Sequence, residues 1–269
     1  MTSELNYLNS LLTIALILGP LMTRKFFLVH SKIYNYSHIM AFMMVAVGFV
    51  LNLPELYLAW PVFCLLGLFL YLRENFTDGI NLKTLAEGVP LIFSIIGSIW
   101  LFSGANDLNL LGYNRAWSYY ASLHSHFLGW ILIGSLTLIA RSRQGWIKNF
   151  YLMSAFLFLI LFLLIAFGID GVPYIKRIGA VGILLMTPLL IGLYSFSLLP
   201  RKNPSFYLST VSLIGILFTA YLAAANEFGF LSPRLFLGVP IMVSLHGLIN
   251  GLVAIPSLFL AIVFDDRIK

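Results

Sequence analysis

The sequence predicts an all-α fold: a polytopic transmembrane helical bundle of about nine spans, oriented N-out and C-in. Mean hydropathy is +0.96 and only 10% of the 269 residues are charged, where a soluble domain carries about 25%. Hydrophobic residues make up 60% of the chain, more than a soluble fold can cover. Runs of about 20 apolar residues recur along the whole length, and each can cross a bilayer as a helix. No long polar stretch intervenes, so residues 1–269 read as a single integral membrane domain.

The spans are expected, in order, at 5–23, 37–53, 55–72, 86–104, 116–139, 149–168, 177–198, 205–225 and 237–263. The first follows Met1-Thr2-Ser3-Glu4 with no basic residue before it, and Arg24 and Lys25 come after it. That is the reverse of a cleavable signal peptide, so a retained first helix is expected. Spans two and three form a tight pair about Asn52-Leu53-Pro54-Glu55, with Pro54 ending one helix and starting the next. Glu87 is expected in the first turn of span four, where the helix dipole accounts for a negative charge. Span five carries His124 and His126. Span eight ends on Asn226 and Glu227, and span nine, entered near Leu237, carries His246 and Asn250.

Charge orients the set. With the N-terminus outside, the inner loops hold Arg24, Lys25, Lys32, Arg73, Lys83, Arg141, Arg143, Lys148, Arg201, Lys202, Arg267 and Lys269. The outer loops hold Arg115, Lys176, Arg177 and Arg234. That is 12 against 4, summing to the 16 Lys and Arg of the chain, and the bias follows the positive-inside rule. Lys176-Arg177 is the pair on the wrong side. The net charge of +6 thus belongs to helix flanks, and no nucleic-acid partner is expected. The single Cys64 lies in an apolar run and has no disulfide partner within the chain.

Ionisable residues at membrane depth are costly and mark functional sites. Counting from the outer ends of their spans, His124, His126 and His246 lie roughly 13, 16 and 14 Å deep at 1.5 Å per residue. That is near the midplane of a hydrocarbon core about 30 Å thick. His124 and His126 are two apart and point to roughly opposite faces of a regular helix. His124 shares its face with Tyr120, and His126 shares its face with Ser122 and Trp130. His246 and Asn250 stack one turn apart, with Ser257 extending the stripe, and an Asn there can fix the imidazole tautomer. Gly247 and Gly251 form a small-xxx-small pair that permits close helix approach, span five being the expected neighbour. His124, His126 and His246 are the candidate catalytic residues, and Asn250, Tyr120 and Glu227 the candidate substrate-binding ones. The bland reading is an interhelical hydrogen bond for each His and a solvated helix end for Glu227. His30 and His38 read as surface residues near the first inner loop.

No P-loop, Rossmann glycine pattern, zinc helix or nucleophile elbow is present. No internal repeat of the kind many secondary transporters carry is visible. His124-Ser125-His126-Phe127-Leu128-Gly129 and His246-Gly247-Leu248-Ile249-Asn250 resemble two segments of the YndJ-like family of bacterial membrane proteins. Gly251-Leu252-Val253-Ala254 departs from that family's usual continuation. The resemblance implies a multi-pass protein of a bacterial inner or plasma membrane. It supplies no mechanism.

Three functions are weighed. The first is a membrane-embedded enzyme that acts by acid–base chemistry on a lipophilic small molecule. The second is a small-solute or proton-coupled transporter with the histidines as midplane site. The third is a haem- or metal-binding membrane protein with imidazole ligands. The bilayer is the common partner of all three. Composition names neither cofactor nor metal.

Overall fold

The computed structural model describes residues 2–76, 79–230, 235–236 and 239–268. Arg234, Leu237 and Lys269, used above for orientation and for the start of span nine, lie outside the described residues. Nine helices among the described residues are long and apolar enough to cross a membrane. The chain is a multi-pass helical membrane protein.

The elements are α1 (Thr2–Phe26), α2 (Lys32–Leu51), a 3-10 turn (Pro54–Leu58), α3 (Ala59–Asn75), α4 (Leu82–Ala105) and α5 (Arg115–His124). A π segment (Ser125–Leu132) carries α5 into α6 (Ile133–Arg141), and the three together form one span. Then follow α7 (Gly145–Asp170), α8 (Pro173–Leu198) and α9 (Pro204–Glu227). Two π segments (Met242–His246 and Ile249–Ala254) lead into α10 (Ile255–Phe264). Leu235–Phe236 and Val239–Pro240 make a two-residue antiparallel pair before them.

Local chemistry sets the ends. Ser31, Asn81, Asn114 and Asn203 are N-caps whose side-chain oxygens accept the N–H of Tyr34, Thr84, Trp117 and Phe206, satisfying donors the first turn leaves open. Span two is longer than expected because α2 starts at Lys32, behind the Ser31 cap. The polar run Lys32–Ser37 dilutes hydropathy without breaking the helix. At its other end Asn52 takes the left-handed conformation (φ 54°), and its N–H returns to the Gly48 carbonyl. Pro54 then opens the 3-10 turn.

Two expectations are corrected. Glu87 lies beyond the first turn of α4, which begins at Leu82, and is 3% exposed, so the helix dipole does not account for it. His38 is not a surface residue. It sits in α2 against Phe42, Trp60 and Phe63, and its Nε2–H donates to the Leu16 carbonyl at 3.1 Å. Pro20, inside α1, has no N–H to give to that carbonyl four residues back. His38 therefore satisfies the acceptor that Pro20 leaves open.

Packing divides the chain into two compact units, Met1–Gly134 and Ser135–Lys269. In the first, α4 lies against α3, α5 and the π segment, and α1 also meets that segment. Glycines permit the approach. A Cβ at Gly97 would stand 2.5 Å from His126 Nδ1, and one at Gly19 would stand 2.8 Å from the Trp130 ring. In the second unit α8 packs on α7 and α9, and α9 packs on α10 and the Ile249–Ala254 segment. At one end of that unit the chain folds back after α10. There Arg267 binds the fully buried Asp265 through both carboxylate oxygens at 2.8 and 2.6 Å, and Tyr194 donates to the same group at 3.1 Å.

The span from Arg115 to Arg141 is 89% buried over its most apolar window, against 22% for Lys32–Leu51. Most of the helix that carries two histidines is therefore shielded by protein, and the second span is the least buried of the nine.

Candidate functional site

The candidate residues lie in both units. In the first, His126 is fully buried. Its Nδ1–H donates to the Ser122 carbonyl at 2.8 Å, and the Trp60 indole N–H donates to its Nε2 at 3.1 Å. Ser122 stands 3.3 Å from Nδ1 and donates its own hydroxyl to the Gly97 carbonyl. Both ring nitrogens are thus engaged, and the pattern defines the neutral tautomer protonated at Nδ1. Trp130 flanks the ring at 5.8 Å between centroids.

His124 points elsewhere. Its Nδ1–H donates to the Tyr120 carbonyl at 2.7 Å, and the ring is exposed. Nε2 has no hydrogen-bond partner among the described residues. One turn back, the Tyr120 hydroxyl donates to the Glu4 carboxylate of α1. Glu4, Tyr120 and His124 form a polar row that runs from the start of α1 inward along α5. The i, i+2 spacing separates the two histidines as helical geometry requires, one inside the unit and one on its surface.

In the second unit His246, Asn250 and α9 close a ring of hydrogen bonds. The His246 Nδ1–H donates to the Thr219 carbonyl at 3.1 Å, and the Asn250 amide donates to His246 Nε2 at 3.1 Å. The Thr219 hydroxyl donates to the Asn250 carbonyl oxygen at 2.9 Å. Two residues of α9's neighbouring segment are thus tied to one residue of α9. The close helix approach uses Gly215 of α9, where a Cβ would stand 2.9 Å from that of Ala254. The neighbour that this face meets within its unit is span eight.

Glu227 pairs with Lys176 Nζ at 2.8 Å and with Arg177 Nε at 3.6 Å, and its side chain is 14% exposed. Lys176 and Arg177 are the two basic residues that ran against the charge rule. Both pair with the one carboxylate that ends α9, which offsets one of the two charges.

The sequence drew attention to the histidines and missed four partners: Glu4, Trp60, Thr219 and the carbonyl of Leu16. Each is distant in sequence from the group it serves, and an isolated Thr or Trp in an apolar helix carries no local signal. The irregular backbone was missed as well. His126, His246 and Asn250 all lie in π segments, and wide turns of this kind recur at functional sites. One cause is legible. Pro256 cannot supply an N–H to Leu252, so the ladder is interrupted just where the Ile249–Ala254 segment runs into α10. Among the described residues no three His, Cys, Asp or Glu side chains gather in a way that could hold a metal ion.

The model of the YndJ-like protein family matches residues 7–254. The chain belongs to the YndJ-like family. The match takes in both histidine-bearing segments, the polar row from Tyr120 to His124, and the Thr219–His246–Asn250 ring. No curated protein and no solved structure matches this YndJ-like chain.

Proposed function

We propose that this YndJ-like protein is a membrane-embedded enzyme that moves a proton on a lipophilic small molecule, with His124 as the acid–base group. The observation that carries the reading is the state of the His124 ring: Nδ1 is held by the Tyr120 carbonyl, and Nε2 has no partner among the described residues, at an exposed position inside a candidate membrane span. A group there meets lipid or a lipophilic guest rather than bulk water. A neutral imidazole with a fixed tautomer and one open nitrogen is prepared to accept a proton and return it. Tyr120 orients the ring through its carbonyl and, through its hydroxyl, connects the site to the Glu4 carboxylate.

The other candidates divide by their hydrogen bonds. His126 has no ring nitrogen to spare and serves to join α3 to the π segment. His246 and Asn250 are a second centre. Its Nε2 is released if the Asn250 amide turns to a substrate polar group. Glu227 holds the start of α8 through Lys176 and Arg177. The protein lies in a bacterial inner or plasma membrane, N-out and C-in, so that the polar row opens on the outer side.

A second reading has one observation in its favour. The same row of Glu4, Tyr120 and His124 is a sequence of proton-handling groups leading into the membrane, as proton-coupled transport of a small solute requires.

The test compares membranes from cells that express wild type, His124→Ala and His246→Ala, by untargeted lipid analysis. The enzyme reading expects a lipid product that appears with wild type, vanishes with His124→Ala and persists in reduced amount with His246→Ala. If the three lipid profiles are the same while all variants accumulate and fold, the enzyme reading is wrong. Proton flux into proteoliposomes that is lost in His124→Ala would then support the transporter.

A further inference from the structure

A cavity of about 190 Å³ opens at the end of the first unit where α1 and α5 begin and α2 ends. Its polar lining is Asn6, Asn9, Asn52, Tyr57, Arg115 and Tyr119. The three carboxamides make no hydrogen bond to the protein among the described residues. Each offers both donors and an acceptor.

Charge decides what such a lining takes. Arg115 is the one cation among the described lining residues, and Asp107 stands 3.5 Å from the Arg115 Nε. Two of the five guanidinium N–H groups are given to the Gly104 and Ala105 carbonyls, both at 3.1 Å. Asp107 offsets the cation in part and the carbonyls occupy two of its donors, so Arg115 offers an anion less than a free guanidinium would. No carboxylate is among the described lining residues, and a metal cation is equally unsuited to them. Amides and phenols that donate and accept at once complement hydroxyl groups, which do the same.

Size and position narrow the ligand further. The volume is below the roughly 300–1,000 Å³ of a pocket for drug-sized ligands, so one ring or a glycerol unit fits and a larger head does not. Phe49 forms part of the wall, and Phe49, Val50 and Leu51 are 53, 76 and 61% exposed on α2. The cavity therefore has a polar interior and an apolar lip at the level of the helix ends.

We propose that this cavity binds a neutral polyhydroxyl group, a single sugar ring or glycerol. Its source is either a glycolipid, with the acyl chains along α2, or a free sugar. The site goes beyond the His124 reading and does not depend on it. Tyr119 lines the cavity, and Tyr120 and His124 do not.

Native mass spectrometry of the full chain in detergent tests this, with monoglucosyldiacylglycerol, phosphatidylcholine, phosphatidylglycerol and glucose as separate probes. Asn9→Ala and Asn52→Gly are the variants. The second keeps the left-handed turn, because glycine adopts positive φ freely. Preferred retention of the glycolipid is expected, weakened about three- to tenfold by either variant, as loss of a neutral hydrogen bond implies. Binding of the glycolipid without glucose assigns the site to a lipid head. Binding of glucose that is weakened by the same variants assigns it to a free sugar. Equal retention of all three lipids, preference for the anionic lipid, or variants that fold and bind as wild type would each overturn the proposal.

Discussion

Trp60 and His126 form a pair in which each buried polar atom depends on the other. The indole N–H has an imidazole nitrogen to donate to, and both residues are shielded completely. Trp60→Phe keeps the apolar bulk and leaves Nε2 with no donor. An unsatisfied buried group costs about 1–3 kcal/mol, so thermal unfolding in detergent should move down by the equivalent amount. A Trp60→Phe variant as stable as wild type would show that the hydrogen bond adds nothing net. The Asp265–Arg267 pair makes a different prediction. Burial raises the Asp265 carboxyl, but the hydrogen bonds and charge of Arg267 together outweigh it and hold the group below its ordinary value of 3.8. A carboxyl depressed on folding stabilises fully above its unfolded value, and the stabilisation is lost as pH falls through the folded one. Unfolding temperature should therefore be insensitive to this pair near neutrality and drop in strong acid. Asp265→Asn should be less stable at pH 7 and lose that part of the acid dependence. Parallel melts of the two proteins against pH measure it.

At the level of elements, irregular helices put the polar groups to use. Pro20 opens one carbonyl in α1, and His38 from α2 closes it. A double-mutant cycle separates this from ordinary packing. In wild type, His38→Ala leaves the Leu16 carbonyl without a partner and should cost about 1–3 kcal/mol. In a Pro20→Ala background the backbone N–H returns to that carbonyl, so the same substitution should cost measurably less. Equal costs in the two backgrounds would mean that the bond and the proline are unrelated. The π segments belong to the same account. They carry His126, His246 and Asn250, and their wide turns place side chains where a regular 3.6-residue period would not.

For the whole molecule, orientation is the property to test. Leu108 and Gln144 are exposed and lie in consecutive loops at opposite ends of the span from Arg115 to Arg141. With the N-terminus outside, a cysteine at Leu108 should react with a membrane-impermeant maleimide in intact cells. One at Gln144 should react only after lysis. The native Cys64 is buried and adds little background. The reverse pattern would invert the orientation and place the polar row of Glu4, Tyr120 and His124 on the inner side. The Lys176–Arg177–Glu227 cluster bears on the same question. The rule counts Lys and Arg and acidic residues contribute little, so the pair counts against the N-out orientation whatever its carboxylate partner.

Composition and the spacing of apolar runs were enough to determine a nine-span helical membrane protein, because the bilayer demands about 20 apolar residues per helix wherever the helix packs. Motif residues were enough to point to the YndJ-like family. Which histidine is engaged was beyond them. His124 and His126 are two residues apart in one helix, yet one ring is open and the other is clasped by Trp60, 66 positions away. The partners of His38, His246 and Glu227 come likewise from other helices. A hydrogen bond between helices depends on where two backbones cross and how closely their glycines let them approach, and only the tertiary fold decides that.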